Sequence, residues 1–180
     1  MHDTKSIYEL YGEVAWLWSN SELHLSWSIR TQSYLIIPPI KLNQYLILYD
    51  EEQNPVAYCS WAYFDQAAEA NYILKPGKIH PSSWNIGNRL WLIDFISPFS
   101  TQYTLKIRRQ LSDLFPLNIG AALRVKPHEE VGKIVTYCGV NLAKDEATQL
   151  RMKRLKDVET ALRIHPDLDN AFKLNYCSQE

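Results

Sequence analysis

Arg89-Leu90-Trp91-Leu92-Ile93-Asp94-Phe95-Ile96-Ser97-Pro98-Phe99 is a run of large apolar side chains with one carboxylate in its middle and a proline near its end. Its length and its aromatic and β-branched content predict one central strand, which Pro98 stops. Aspartate is a poor strand former and is costly to bury ionised, so Asp94 between Ile93 and Phe95 calls for a partner from elsewhere in the chain. His24 is the partner the sequence favours, because it follows a helix end where a side chain can face a cleft.

Working back from this strand, Pro55–Phe64 reads as a second strand whose mixed small and large side chains suit burial on both faces. Gln44–Asp50 is a third, joined to it across the polar turn 51–54 as an antiparallel hairpin. Ser28–Leu42 ends in Pro38-Pro39 and reads as a short helix followed by an extended turn. Before it, Ser6 and Glu9 form a capping box for a helix over Ser6–Ser19, with Ile7, Leu10, Tyr11, Val14, Leu17 and Trp18 at helical spacing. Gly12 in that helix is expected to allow close packing.

Asp65–Leu74 fits helix and strand equally, and Lys75–Asn88 is a loop marked by Pro76-Gly77, Pro81 and Gly87. After the Asp94 strand, Ser100 caps a helix along Tyr103, Ile107, Leu111 and Leu114, with Lys106, Arg108 and Arg109 outside. Ile119–Val125 and Lys133–Cys138 are strands joined by a turn at His128–Gly132. A charged helix runs from about Ala143 to Ile164, and the tail after Pro166 is expected to be mobile. Helices around strands, with hairpin and crossover links both present, give an α/β domain with a mixed sheet over residues 1–165, followed by the tail 166–180.

Composition narrows the function. The net charge is −1, but residues 1–100 hold ten acids and six bases while residues 101–180 hold ten acids and thirteen bases. That imbalance is too weak for a nucleic-acid binder and suits an acidic protein partner on the later part of the chain. Cys59, Cys138 and Cys177 are an odd number without CxxC spacing, which points to reduced thiols and to no zinc site. The polar start Met1-His2-Asp3-Thr4-Lys5-Ser6 predicts no signal peptide, and no apolar run approaches the ~20 residues of a membrane span. A soluble cytoplasmic protein is expected.

An aspartate that accepts a hydrogen bond from one imidazole nitrogen leaves the other as a base and stabilises the imidazolium. His24 and Asp94 therefore form the leading catalytic candidate. The bland alternative is a surface histidine and a structural carboxylate. Cys59 could be a nucleophile, although a cysteine between Tyr58 and Ser60 in a strand is more often a small core residue. No P-loop, GxGxxG or GxSxG is present. Trp16, Trp18, Trp27 and Trp91 are expected to lie near the site and line an apolar groove.

The ordered motifs Trp16-Leu17-Trp18-x-x-Ser21-x-x-His24-x-x-Trp27, Gln44-Tyr45, Val56–Ala62, Gly87-x-Arg89-x-Trp91-x-Ile93-Asp94-x-Ile96-x-Pro98-Phe99, Arg124-Val125 and Val131-Gly132-Lys133 resemble the RTX-toxin-activating lysine acyltransferases. The resemblance runs from about Glu9 to Gly139. It implies a GNAT-like fold, a homodimer, and an enzyme of the bacterial cytosol. Such enzymes move a fatty acyl group from acyl carrier protein to internal lysines of an RTX protoxin, with no bound cofactor. The family's histidine and aspartate fall on His24 and Asp94, and a supporting serine on Ser21. Departures are Leu25 after the histidine, where Arg is common; Ser28, where Pro is common; and Leu35, where an Asn is seen. An oxyanion role for that Asn would pass to a backbone N–H, with Cys59–Trp61 as candidates, or to another residue.

The resemblance and the chemistry meet at one number. A lysine with the ordinary pKa of ~10.4 is neutral in about one molecule in 2,500 at pH 7, and a general base worth ~10²- to 10⁴-fold is the right size to offset that. GNAT enzymes that use coenzyme A hold its pyrophosphate on a Q/R-x-x-G-x-G/A turn, which this sequence lacks. A carrier-borne donor needs basic surface instead, and Lys106, Arg108, Arg109, Arg124 and Lys126 are the candidates. Two competing readings are an acyl relay through Cys59 and a chaperone that holds an apolar segment of a larger protein.

Overall fold

The computed structural model describes residues 5–124, 133–163 and 165. Lys126, the turn expected at His128–Gly132 and the tail after Pro166 lie outside the described residues. The elements run α1 (Ile7–Ser19), α2 (Ile29–Lys41), β1 (Tyr45–Tyr49), β2 (Pro55–Phe64), α3 (Gln66–Leu74), β3 (Arg89–Ile96), α4 (Thr101–Leu114), β4 (Ile119–Arg124), β5 (Lys133–Cys138) and α5 (Lys144–Arg163).

Local chemistry accounts for most of the boundaries. At α1 the Ser6 hydroxyl accepts the Glu9 N–H at 3.3 Å while the Glu9 carboxylate accepts the Ser6 N–H at 2.6 Å. Ser100 caps α4 by accepting from the Tyr103 N–H. Asp65 does the same for α3 by accepting from Ala68, which resolves the ambiguous stretch as helix.

Two expectations are corrected. α2 does not end before Pro38-Pro39 but continues through both as one helix to Lys41. Each proline removes a backbone donor, at ~3 kcal/mol in a helix interior. Here they sit in the last turns, where the Leu42 and Gln44 N–H groups bond back to the Pro38 and Pro39 carbonyls. Both prolines are buried, so packing against the core offsets the lost bonds. Gly12 serves no close packing, since no atom lies within 4 Å of the position its Cβ would take. Gly87 is the glycine under constraint: a Cβ there would fall 2.2 Å from the Phe64 carbonyl oxygen.

The five strands form one mixed sheet in the order β1-β2-β3-β4-β5. All neighbours are antiparallel except β3 and β4, which the α4 crossover makes parallel. Alternation along β2 sends Tyr58, Ala62 and Phe64 to one face and Ala57, Cys59 and Trp61 to the other. The first face is covered by α1, α2, α3 and α5, through Leu17, Trp18, Ile36, Ile73 and Leu162. The second is covered by α4 through Ile107 and Leu111, each such burial contributing about 1.5–3 kcal/mol.

The parallel pair is short. β3 has eight residues, yet only Trp91 and Leu92 pair with β4, opposite Ala121 and Ala122. Beyond Leu92 the two strands have no further paired residues, and Asp94 lies just past that point.

Candidate active site

A slip in the sheet aims Asp94. Cys59 faces Phe95 but Trp61 faces Leu92, so Ser60 alone opposes both Ile93 and Asp94. In a regular strand Asp94 would share the face of Leu90 and Leu92, which pack under α4. The extra residue turns it to the α1 side with Ile93, and Phe95 then returns to the α4 side. Ser60 fastens the irregularity by accepting the Asp94 backbone N–H at 3.3 Å.

His24 reaches the same place from α1. Successive turns carry the chain off the helix, with the Ser21 N–H on the Trp18 carbonyl, the His24 N–H on the Ser21 carbonyl and the Trp27 N–H on the His24 carbonyl. The imidazole is wedged between two indoles, with ring centroids 4.6 Å from Trp18 and 4.7 Å from Trp27. Its Nε2 lies 3.5 Å from Asp94 Oδ1, and its Nδ1 lies 2.7 Å from Ser21 Oγ. His24 and Asp94 are both 5% exposed, and Ser21 is half-buried.

At 3.5 Å the His24–Asp94 contact is longer than a formed hydrogen bond, and His24 Nε2 and Asp94 Oδ2 have no other partner. Catalytic pairs are commonly loose before substrate binds and tighten in the complex. Nε2 is buried facing the carboxylate, and Nδ1 faces the serine. Ser21 is the accessible end of the chain Ser21–His24–Asp94.

The surroundings of Asp94 include groups that the sequence did not point to. Tyr58 is fully buried, and burial first and the Asp94 charge second push its phenol well up, against a smaller opposing effect of its neighbour Ser60. Tyr72 is pushed up for the same two reasons. Alternation along β2, which puts Tyr58 and Ser60 on one face, was the available signal.

Of the four tryptophans expected near the site, Trp18 and Trp27 hold the imidazole. Trp16 is 53% exposed on the outer face of α1. Trp91 turns to a different cluster, donating its Nε1–H to Glu69 at 2.7 Å and meeting the Tyr72 ring edge-on. Glu69 is fully buried and also takes Arg89 at 2.5 Å and Arg154 at 3.3 Å, while Arg154 donates further to the Leu90 and Ile119 carbonyls. This network ties α3, α5, β3 and β4 together.

Cys59 lies on the opposite face from His24, packed with Leu92 and Ile107. Burial first, and the Asp94 charge second, push its thiol well above the usual range. A nucleophilic thiolate is not available there at neutral pH. Trp61 cannot lend its N–H to an oxyanion, because that group donates to the Gln44 carbonyl at 3.0 Å. Lys106, Arg108, Arg109 and Arg124 are all exposed, the first three on α4 and the last at the end of β4. Among the described residues no helix is long and apolar enough to cross a membrane.

A buried imidazole lies between a carboxylate and a hydroxyl, just past the end of a short parallel pairing, and such an imidazole can take up a proton. The chain belongs to the RTX toxin acyltransferase family, whose pattern matches residues 3–138. It is 35% identical over 160 residues to the RTX-II toxin-activating lysine-acyltransferase ApxIIC of Actinobacillus pleuropneumoniae, covering 88% of this chain and 98% of that one. It is 38% identical over 128 residues to the protein-lysine palmitoyltransferase CyaC of Bordetella bronchiseptica (71% and 69%) and 36% identical over 151 residues to the protein-lysine myristoyltransferase RtxC of Kingella kingae (84% and 89%).

Proposed function

We propose that this protein is a protein-lysine fatty acyltransferase that moves an acyl chain from acyl carrier protein to the ε-amino group of internal lysines of an RTX protoxin. The observation that carries the reading is the convergence of His24 and Asp94, seventy positions apart, at the point where β3 and β4 cease to pair. We read the fold as GNAT-like, with the separating parallel strands as the slot for the donor. The enzyme acts as a homodimer in the bacterial cytosol and needs no bound cofactor.

Asp94 accepts the Nε2–H of His24 and so leaves Nδ1 as the basic nitrogen. The incoming lysine gives up its proton to Nδ1, through the Ser21 hydroxyl or in its place. The amine nitrogen attacks the thioester carbonyl carbon, the C–N bond forms, and collapse of the tetrahedral intermediate breaks the C–S bond. The carrier sulfur takes up the second amine proton and leaves as the thiol, and the first proton, held on His24, passes to solvent. Asp94 and the indole faces of Trp18 and Trp27 stabilise the intervening imidazolium.

The carrier is an acidic protein, and the exposed cations of α4 with Arg124 and Lys126 are its proposed landing surface. Direct transfer is favoured over a relay because the one thiol near the site faces away from His24 and stays protonated.

Mass spectrometry of the partner protoxin, co-expressed with and without this protein, tests the reading. A fatty-acyl mass increment on lysine that depends on this protein supports it. A stoichiometric complex with unmodified lysines would replace it with a chaperone.

A further inference from the structure

On the sheet face opposite His24, a cavity of about 350 Å³ opens between α4, β4, β5 and α5. Leu90, Leu92, Leu111 and Phe115 give it apolar walls, and Gly120 contributes no side chain to fill it. Arg108, Arg109 and Arg151 also line it, and among the described lining residues there is no aspartate or glutamate.

Three guanidinium groups around one space without a counter-charge repel one another, and their donors need acceptors. Arg151 is the clearest case. Its Nε is buried with no partner, and its Nη2 finds only the Cys138 sulfur at 3.7 Å. One turn along the same helix, Arg154 meets a carboxylate and two carbonyls. Arg108 spends its positive face on the Tyr137 ring, 5.6 Å away. The hydroxyls of Ser112 and Thr136 add polar groups to the same lining.

We propose that this cavity binds a small anion, phosphate or carboxylate, carried on a short apolar chain. The arginines take the anion and the leucine walls take the chain. A free fatty acid and an alkyl phosphate share this chemistry. The site is separate from the His24 centre and does not depend on the transfer mechanism. It shares Arg108 and Arg109 with the surface proposed for the carrier, but it takes its ligand without the carrier protein.

The test is a titration of the full chain with octanoate, octyl phosphate and inorganic phosphate, with octanol as the uncharged control. Binding is followed by the arginine Nε–Hε resonances and by the rate of Cys138 alkylation. The expected result is saturable binding of octanoate or octyl phosphate that moves the Arg151 resonance and slows Cys138 alkylation, with none for octanol. Whichever of the two binds tighter names the source. Arg151→Gln and Arg109→Gln should each weaken binding about tenfold. Arg109 is exposed, so its replacement does not threaten the fold. Absence of saturable binding up to ~10 mM, a range that still detects very weak sites, overturns the proposal. So does binding that neither substitution weakens. Equal affinity for bare phosphate removes the apolar chain from it.

Discussion

The Asp94 backbone N–H donates to the Ser60 hydroxyl at the one point where the β2·β3 ladder slips, and that bond holds Asp94 on the His24 side of the sheet. Ser60 is fully buried, so no solvent can replace its oxygen. Ser60→Ala should lower stability by about 1–3 kcal/mol through the orphaned N–H, a fall of several degrees in Tm. Because it loosens Asp94 and touches no substrate, it should reduce kcat more than it raises KM. Thermal melts and steady-state kinetics on the same preparation check both halves.

Cys59 offers a second test, with a sign fixed by its environment. A thiol whose pKa is raised keeps its proton to higher pH, so Cys59 should stay unlabelled by thiol reagents at pH 8 while the protein is folded. Cys59→Ala should retain acyl transfer, and no acyl-enzyme thioester should be trapped. Peptide mapping after alkylation reads the first outcome, and intact mass after mixing with donor reads the second.

Glu69 predicts a larger effect on stability. Its carboxylate is fully buried between Arg89, Arg154 and the Trp91 indole, and Glu69→Leu leaves two cations without it. Removing one member of a buried ionic cluster costs about 3–5 kcal/mol, a drop in Tm on the order of 10 °C. Adding Arg154→Met should recover part of that loss, since the second change removes an uncompensated charge. Melting the two variants side by side measures the coupling.

The basic face of α4 should matter for encounter more than for chemistry. Reversing charge at Arg108 and Arg109 should weaken carrier binding most at low salt, with the difference shrinking as ionic strength rises. Carrier affinity at two salt concentrations decides this. An affinity unchanged at low salt would remove the landing surface from the proposed function.

Much of this arrangement was legible in the residues themselves, and what was hidden has a common cause. The Ser6 and Glu9 box, the Ser100 cap and the alternation of β2 are local, so they could be read directly. The strand around Asp94 could be read from its composition, and the need for a partner from the cost of burying a charge. The passage of α2 through Pro38-Pro39 was hidden because the offset comes from burial. Glu69 was equally hidden, as its partners stand 20, 22 and 85 positions away. The β3 slip turns on one extra residue, and nothing in Ile93-Asp94 alone marks it. Ser21 entered only through family likeness, and its hydroxyl lies 2.7 Å from His24 Nδ1.

The most direct measurement is single-turnover acyl transfer from acyl carrier protein to a lysine-bearing protoxin fragment, comparing the unaltered enzyme with His24→Ala. The expected result is a rate lower by ~10²- to 10⁴-fold at pH 7, with an unchanged circular dichroism spectrum. The residual rate should climb about tenfold per pH unit as the free amine becomes more abundant. Transfer by folded His24→Ala at the unaltered rate would contradict the assignment of His24 as the base.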